Sequence, residues 1–283
     1  MGQCEEVEDR SWDHQASSVL RLRDAEGGDW FLKRHQDAER YDAEVTAYRR
    51  WVPALGENAP RLRACDDNLQ AMVLSAVPGE PSPWPTPASG GHRGAEGHRG
   101  AELDVQRRAG VLLRRFHDAQ AAARWDDFGA VKAEEFERLA ARAAELLSPG
   151  EVAFARSEVL ALTGLGRPLQ VPCHRDYTPR NWLVDDGRLY VIDFELARLD
   201  VWVNDLVRLY FGVWTGRPDL QDAFLAGYGR RIGDADRGLL LGCGVLAAVW
   251  LVVKGHEYGQ PSLVEANRRT LQRLMAGRRR YLR

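Results

Sequence analysis

The chain has 283 residues, with 39 lysines and arginines against 41 aspartates and glutamates, and 45% of its residues are hydrophobic. A formal charge of −2 lacks the basic excess of a dedicated nucleic-acid binder, and this apolar content feeds a packed core rather than a disordered chain. The length suits one large domain or two lobes.

Cys4, Cys65, Cys173 and Cys243 lie far apart, with no C-x-x-C pair, so neither a zinc site nor a redox motif is indicated. The opening MGQCEEVEDR is acidic with no apolar stretch, unlike a signal peptide, and Glu6 breaks the myristoylation pattern. The longest apolar run, residues 239–253, is interrupted by Gly242 and Gly244 and falls short of the ~20 residues of a membrane span. It is expected to be a buried helix in a soluble, cytoplasmic protein. No membrane, nucleic-acid or obligate protein partner is indicated.

In chain order, residues 18–23 alternate apolar and polar, Gly27 and Gly28 allow a turn, and residues 29–33 return, which predicts a hairpin over 18–34. Tyr41, Val45, Tyr48 and Val52 recur at helical spacing until Pro53 stops them. Residues 69–77 read as a strand closed by Pro78-Gly79. Residues 81–102 are rich in Pro, Gly and His and contain a tandem Gly-His-Arg-Gly-Ala-Glu hexad from Gly91 to Glu102, which predicts a mobile surface insertion. Apolar stripes then mark helices: Val105, Ala109, Leu112 and Phe116 in one, Val131, Leu139, Ala143 and Leu146 in the next. Ser148-Pro-Gly-Glu151 fits a capping box that opens a third. Residues 181–192 switch to period two around Gly187, a second hairpin, and helices return after Asn204. The pattern predicts a two-lobed α+β fold: a small antiparallel sheet with one helix over residues 1–77, a hinge and insertion over 78–102, and a larger, mainly helical lobe over 103–283.

The chemistry concentrates in Cys173-His-Arg-Asp-Tyr-Thr-Pro-Arg-Asn181 and in Val191-Ile-Asp-Phe-Glu195. A hydroxyl attacking a γ-phosphate needs a carboxylate to accept its proton and hold it in line. Phosphates need magnesium, and magnesium takes hard oxygen ligands. One loop supplies both groups, Asp176 as base and Asn181 five residues on as a metal ligand, and the following hairpin returns Asp193 as the main metal ligand. Asp176 and Asn181 alone would also suit Asx turns, but that reading leaves His174, the spacing and Asp193 unexplained. His174 is read as structural, packing and bonding to the loop backbone. Trp202, Trp214 and Trp250 are read as core, and the arginines at 278–283 as a solvated helix end.

These loops resemble the catalytic and metal-binding segments of the protein-kinase-like superfamily, and within it the aminoglycoside phosphotransferases. Ile192-Asp-Phe194 and Asp205-Leu206 carry the likeness, and no Ala-Pro-Glu sequence follows Asp193. The resemblance implies the kinase-like fold, magnesium and ATP as cofactors with GTP left open, and Lys33 on the α- and β-phosphates with Glu44 as its ion-pair partner. It implies that backbone near Ser75 and Val77 meets the adenine, and that Asp205 caps a helix and braces the catalytic loop. Three departures stand out. Asp13-His-Gln-Ala-Ser-Ser18 has no glycine where kinases cover phosphates with a glycine-rich loop, which leaves the work to backbone amides or to Ser17 and Ser18. Glu195 stands where glycine is common, adding a carboxylate beside the metal. Arg175 replaces a glycine usual in antibiotic kinases.

The resemblance also implies a hydroxyl-bearing cationic antibiotic as substrate, either an aminoglycoside or a tuberactinomycin such as capreomycin or viomycin. Asp176, Glu195, Asp200 and Glu257 are candidates for a carboxylate-rich surface that would attract such cations. A metabolic kinase for choline, a sugar or an amino alcohol stays open, as does a nucleotide-binding regulator without catalysis.

Overall fold

The computed structural model describes residues 4–11, 17–83 and 95–281. In chain order the elements are β1 (Cys4–Asp9), β2 (Ser17–Asp24), β3 (Asp29–His35), α1 (Ala38–Arg50), β4 (Leu62–Asp66), β5 (Ala71–Ser75), β6 (Glu80–Pro81) and α2 (Ala95–His117). They continue with β7 (Ala123–Arg124), α3 (Phe128–Ala143), α4 (Pro149–Ala161), β8 (Leu169–Cys173), β9 (Trp182–Asp185), β10 (Arg188–Val191), β11 (Arg198–Val201), α5 (Pro218–Tyr228), α6 (Asp234–Glu257) and α7 (Pro261–Tyr281). This is the expected α+β composition, an antiparallel sheet with a helix followed by mostly helix.

The chain divides into two compact units. The first gathers Met1–Ala121, Pro172–Leu199 and Gly216–Gly229, and the second Ala122–Val171, Asp200–Thr215 and Arg230–Arg283. The sequence boundaries at 77 and 102 both fall inside the first unit.

In the first unit a five-stranded sheet runs in the order β1-β2-β3-β5-β4, with every neighbour antiparallel. The β2–β3 turn closes on Asp24, whose Oδ1 accepts from the Gly28 amide at 2.7 Å and whose Oδ2 accepts from the Trp30 indole at 2.8 Å. Helix α1 starts because Asp37 caps it, accepting from the Glu39 and Arg40 amides at 2.8 and 3.3 Å. It buries Tyr41, Val45 and Tyr48. It ends at Arg50, before the predicted Val52, because Pro53 has no N–H to donate to the Arg49 carbonyl. Val52 opens a short 3-10 turn instead.

Helix α2 begins at Ala95, inside the hexad repeat, so residues 95–102 are helical where composition predicted a loop. The first part of that insertion, and residues 12–16 of the glycine-free loop, lie outside the described residues. Arg217 gives this end of α2 a partner, since its guanidinium meets Glu102 at 2.8 Å. Further on, α2 packs on α5 so closely that a Cβ at Gly110 would collide with the Phe224 carbonyl, which makes glycine a requirement there. The hairpin of β9 and β10 pairs Trp182 with Val191 and Arg188 with Asp185. Its turn places Asp186 at φ 42° and Gly187 at φ 72°, the left-handed pair of a two-residue hairpin.

The second unit is built on α6, where the apolar run 239–253 resides. By length and composition α6 alone among the described helices passes for a membrane span, but most of its apolar window is buried. It packs against α3, α4 and α7. The Ser148 capping box forms as read, with Glu151 Oε2 accepting from the Ser148 amide at 2.8 Å. Trp202 and Trp214 are buried in this unit, and Trp202 donates its indole N–H to Asp236 at 2.9 Å.

Candidate active site

Side chains alternate along a strand, so Phe31, Lys33 and His35 share one face of β3, and α1 packs on β3. Four groups meet there. The Lys33 ammonium lies 2.9 Å from Glu44 Oε2, 3.3 Å from Glu195 Oε2 and 2.8 Å from Asp193 Oδ1, to which it donates a hydrogen bond. Burial opposes the Lys33 charge, but Asp193, Glu44 and Glu195 overcome it and raise the group well above its ordinary 10.5. Burial likewise pushes the Asp193 carboxyl up, and Lys33 and Arg180 reverse that, holding it below its ordinary 3.8. Glu195 goes the other way. Burial and the neighbouring Asp193 raise it, against Lys33 and Arg40.

Two members of this cluster are not evident from the sequence. Arg40, one helical turn before Glu44 on the same side of α1, donates to Glu195 Oε1 at 2.6 Å. His35, two residues past Lys33, puts Nε2 at 2.8 Å from Glu44 Oε2. The spacings 33/35 and 40/44 were the available signals. The approach to Glu44 is off-angle: both Glu44 oxygens and both His35 ring nitrogens are buried with no aligned hydrogen bond.

The loop over residues 174–181 follows β8. His174 is fully buried and accepts at Nδ1 from the Asp176 amide at 3.3 Å. Its Nε2 therefore carries the proton and donates to the Ile192 carbonyl at 3.0 Å. Its ring packs on Phe194 and Tyr177, with centroids 4.9 and 5.6 Å away. Tyr177 in turn donates to the Ala109 carbonyl of α2 at 2.8 Å, which pins the loop to that helix. Arg175 takes φ 66°, the left-handed conformation that favours glycine, which explains why a glycine suits that position. Asp193 takes φ 67°, a strained backbone for a residue with a side chain.

Asp176 is 3% exposed. The Asn181 amide nitrogen donates to its Oδ2 at 3.0 Å and to its backbone carbonyl at 2.9 Å. Arg180, unremarked in the sequence, also binds Asp176 Oδ2, through Nε at 3.1 Å and through a second guanidinium nitrogen. The Ile192 amide donates to the Asn181 carbonyl at 3.1 Å, so the hairpin brings the ends that carry Asn181 and Asp193 side by side.

These residues suit magnesium and a nucleotide. Asn181 commits its amide nitrogen to Asp176 and keeps its amide oxygen as a hard donor, and Asp193 adds a carboxylate. The cluster on β3 and α1 holds two cations, Lys33 and Arg40, against Glu44, Asp193 and Glu195, a balance of 2 − 3 = −1. A polyphosphate entering alone would meet net repulsion there, whereas a divalent ion reverses the sign. The Val77 backbone makes no hydrogen bond among the described residues. The Ser75 amide donates to the Arg61 carbonyl at 2.9 Å.

The sequence profile of the phosphotransferase enzyme family matches residues 10–241. The chain belongs to that family. No curated protein matches the sequence. Among solved structures it is similar to aminoglycoside phosphotransferase APH(4)-Ia, with a TM-score of 0.70 at 13% identity, covering 95% of this chain and 93% of that one. It is similar to macrolide 2′-phosphotransferase MphH from Brachybacterium faecium, with a TM-score of 0.60 at 19% identity and coverage of 95% and 90%. A choline/ethanolamine kinase family protein from Mesorhizobium loti gives 0.66 at 17%, covering 97% and 88%. At these identities the likeness establishes the fold, that of the kinase-like phosphotransferases.

Several candidate residues fall elsewhere. Asp200 is 1% exposed in the second unit, accepting from Lys132 at 2.9 Å, Asn204 at 2.7 Å and the Val201 amide at 2.8 Å. It is not a substrate-facing carboxylate, because three donors occupy it inside a core. Glu257 pairs with Arg142 and with Lys254. Asp205 is buried within the 3-10 turn Trp202–Leu206, not at its start. Ser17 is buried opposite His35, with its hydroxyl unpartnered among the described residues, while Ser18 is exposed.

Proposed function

We propose that this phosphotransferase uses Mg-ATP to phosphorylate a hydroxyl of an antibiotic. The observation that carries this reading is the direct contact of Lys33 with Asp193, 160 positions apart in sequence, beside a loop that joins Asp176 to Asn181. Bound Mg-ATP would supply the phosphoryl group. Asp176 orients the acceptor hydroxyl and takes its proton. Asn181 and Asp193 hold the metal through oxygen. Lys33, braced by Glu44, holds the phosphates, and the Val77 backbone receives the adenine. Catalysis is mainly positioning and charge neutralisation.

Support for an antibiotic acceptor comes from relatives of the same fold. One is described in a ternary complex with AMP-PNP and hygromycin B, another in complex with gentamicin, and others are macrolide phosphotransferases. A polycationic acceptor has weaker support than its sequence argument suggested, because Asp200 and Glu257 are neutralised and Glu195 pairs with Arg40 and Lys33. Macrolides and tuberactinomycins therefore belong in the same panel as aminoglycosides. An amino-alcohol acceptor is the second reading, favoured by the likeness to the choline/ethanolamine kinase family protein.

The test is mass spectrometry of such a panel incubated with the protein and Mg-ATP, with expression in a sensitive host alongside. One added phosphate on an antibiotic, together with protection of the host, is the expected result. Phosphorylation of amino alcohols alone would move the protein to the second reading.

A further inference from the structure

The guanidinium of Arg180 is out of place for a resting side chain. It sits on Asp176 Oδ2, which already accepts from Asn181, so one carboxylate oxygen receives several N–H groups. A carboxylate offers about two acceptor sites per oxygen. A hydroxyl seeking that oxygen has to compete with the guanidinium. The Arg180 side chain is 49% exposed, against 4% for Asp176, so solvent reaches the guanidinium while the base is buried. The Arg180 backbone is fixed in the single turn Pro179–Asn181, next to the metal ligand Asn181.

Resting on the phosphotransfer reading, we propose that Arg180 is a catalytic residue that leaves Asp176 for the γ-phosphoryl group once a nucleotide triphosphate binds. In that position it neutralises charge on the transferring group and uncovers the base. The acceptor oxygen bonds to the γ-phosphorus as the bond from phosphorus to the β,γ-bridging oxygen breaks. The electron pair departs with ADP, the hydroxyl proton passes to Asp176, and Arg180 exchanges no atoms. A planar, permanently charged fork suits phosphoryl oxygens better than any other side chain. The device also adds a phosphate contact to a site whose sequence lacks a glycine-rich loop.

A γ-phosphate contact distinguishes triphosphate from diphosphate, and binding reads this without any acceptor. Calorimetry with Mg-ADP and with Mg-AMP-PNP compares wild type, Arg180→Ala and Arg180→Lys, then Asp176→Asn with and without Arg180→Ala. Arg180→Ala is expected to weaken Mg-AMP-PNP about tenfold or more and to leave Mg-ADP within about twofold, which also reports a folded site. Arg180→Lys should restore part of the loss. The loss should persist in the Asp176→Asn background. Equal losses for both nucleotides, no loss for either, or a loss that vanishes once Asp176 is neutral would each overturn the proposal, the last by showing that Arg180 only screens the base. Wild-type protein that binds neither nucleotide would sink the phosphotransfer reading itself, and this inference with it.

Discussion

Each compact unit buries a lysine among carboxylates, and the two clusters are finished to different degrees. In the second unit, Asp200 has three aligned donors, and Lys132 lies over the rings of Trp125 and Phe128 at 5.5 and 5.9 Å. In the first, Lys33 is crowded by three carboxylates, while Glu44 and His35 are buried without one aligned hydrogen bond. Leaving buried polar atoms unmatched costs stability. A cluster evolved only to hold a fold would complete them, as the Lys132 cluster does. The difference teaches that ion-pair burial by itself does not identify a site. Incomplete satisfaction at groups that share a cation does so more sharply.

The largest expected effect probes the first unit's chemistry. Asp176→Asn should lower kcat by about 10²–10⁴, the range for loss of a positioned base, with Mg-ADP binding kept. Unchanged turnover on an identified acceptor would remove Asp176 from the mechanism. The next effect sets the two clusters against each other in denaturant melts. Lys132→Met strands a buried Asp200 and should cost about 3–5 kcal/mol, most of it recovered in Lys132→Met/Asp200→Leu. Glu44→Gln gives up its ion pair with Lys33 but leaves Lys33 paired with Asp193 and Glu195, so it should cost less than Lys132→Met, while nucleotide affinity falls. If Glu44→Gln proves as damaging to stability as Lys132→Met, the contrast fails and the first cluster is structural too.

How much of this was legible in the sequence follows the range of the physics involved. Asp176, Asn181 and Asp193 announce themselves because one loop and one hairpin set their spacing, and that geometry is local. The hairpin over 18–34 and the Ser148 capping box were readable for the same reason. Strands β1 and β4 were not. They are edge strands, one of them acidic, the other mostly exposed, so neither carries the alternation that burial imposes. The start of α2 was hidden by Gly97, His98 and Gly100, which lower helix propensity, and here Arg217 reaches Glu102 from a distant segment. Asp200 looked available because a lone carboxylate is usually solvated, but Lys132, 68 positions away, draws it inward. Arg40, His35 and Arg180 gain meaning only from partners that folding delivers.

A smaller effect concerns acid. Glu151 is held down to about 2 from its ordinary 4.5: burial opposes this, and bonds from Arg268, Gln272 and Ser148 prevail. A depressed carboxyl contributes stability above its unfolded value and loses it as pH falls from about 4.5 toward 2. Arg268 is partly exposed, so screening discounts the contribution to about 1 kcal/mol at pH 7. Glu151→Gln should therefore melt earlier than wild type at pH 7, and the gap should close by pH 2.5. A gap independent of pH would mean that Glu151 acts through packing and its cap alone.

Glu195 sharpens the comparison with the opposite sign. Burial, then Asp193, raise its carboxyl, against Lys33 and Arg40. A raised carboxyl contributes its stability below the unfolded value and loses it as pH climbs through the folded value, so at pH 7 the charged form burdens the free protein. Glu195→Gln keeps the shape and removes that burden. Its Tm at pH 7 should rise above wild type, and the advantage should shrink toward pH 4, where wild-type Glu195 takes up its proton. The same substitution weakens the link from Arg40 on α1 to the residues beside Asp193. If the stabilised variant also loses Mg-nucleotide affinity, the first cluster holds an unfavourable charge for function. A Tm that falls at pH 7 would place Glu195 with Asp200, as a carboxylate whose partners more than compensate its burial.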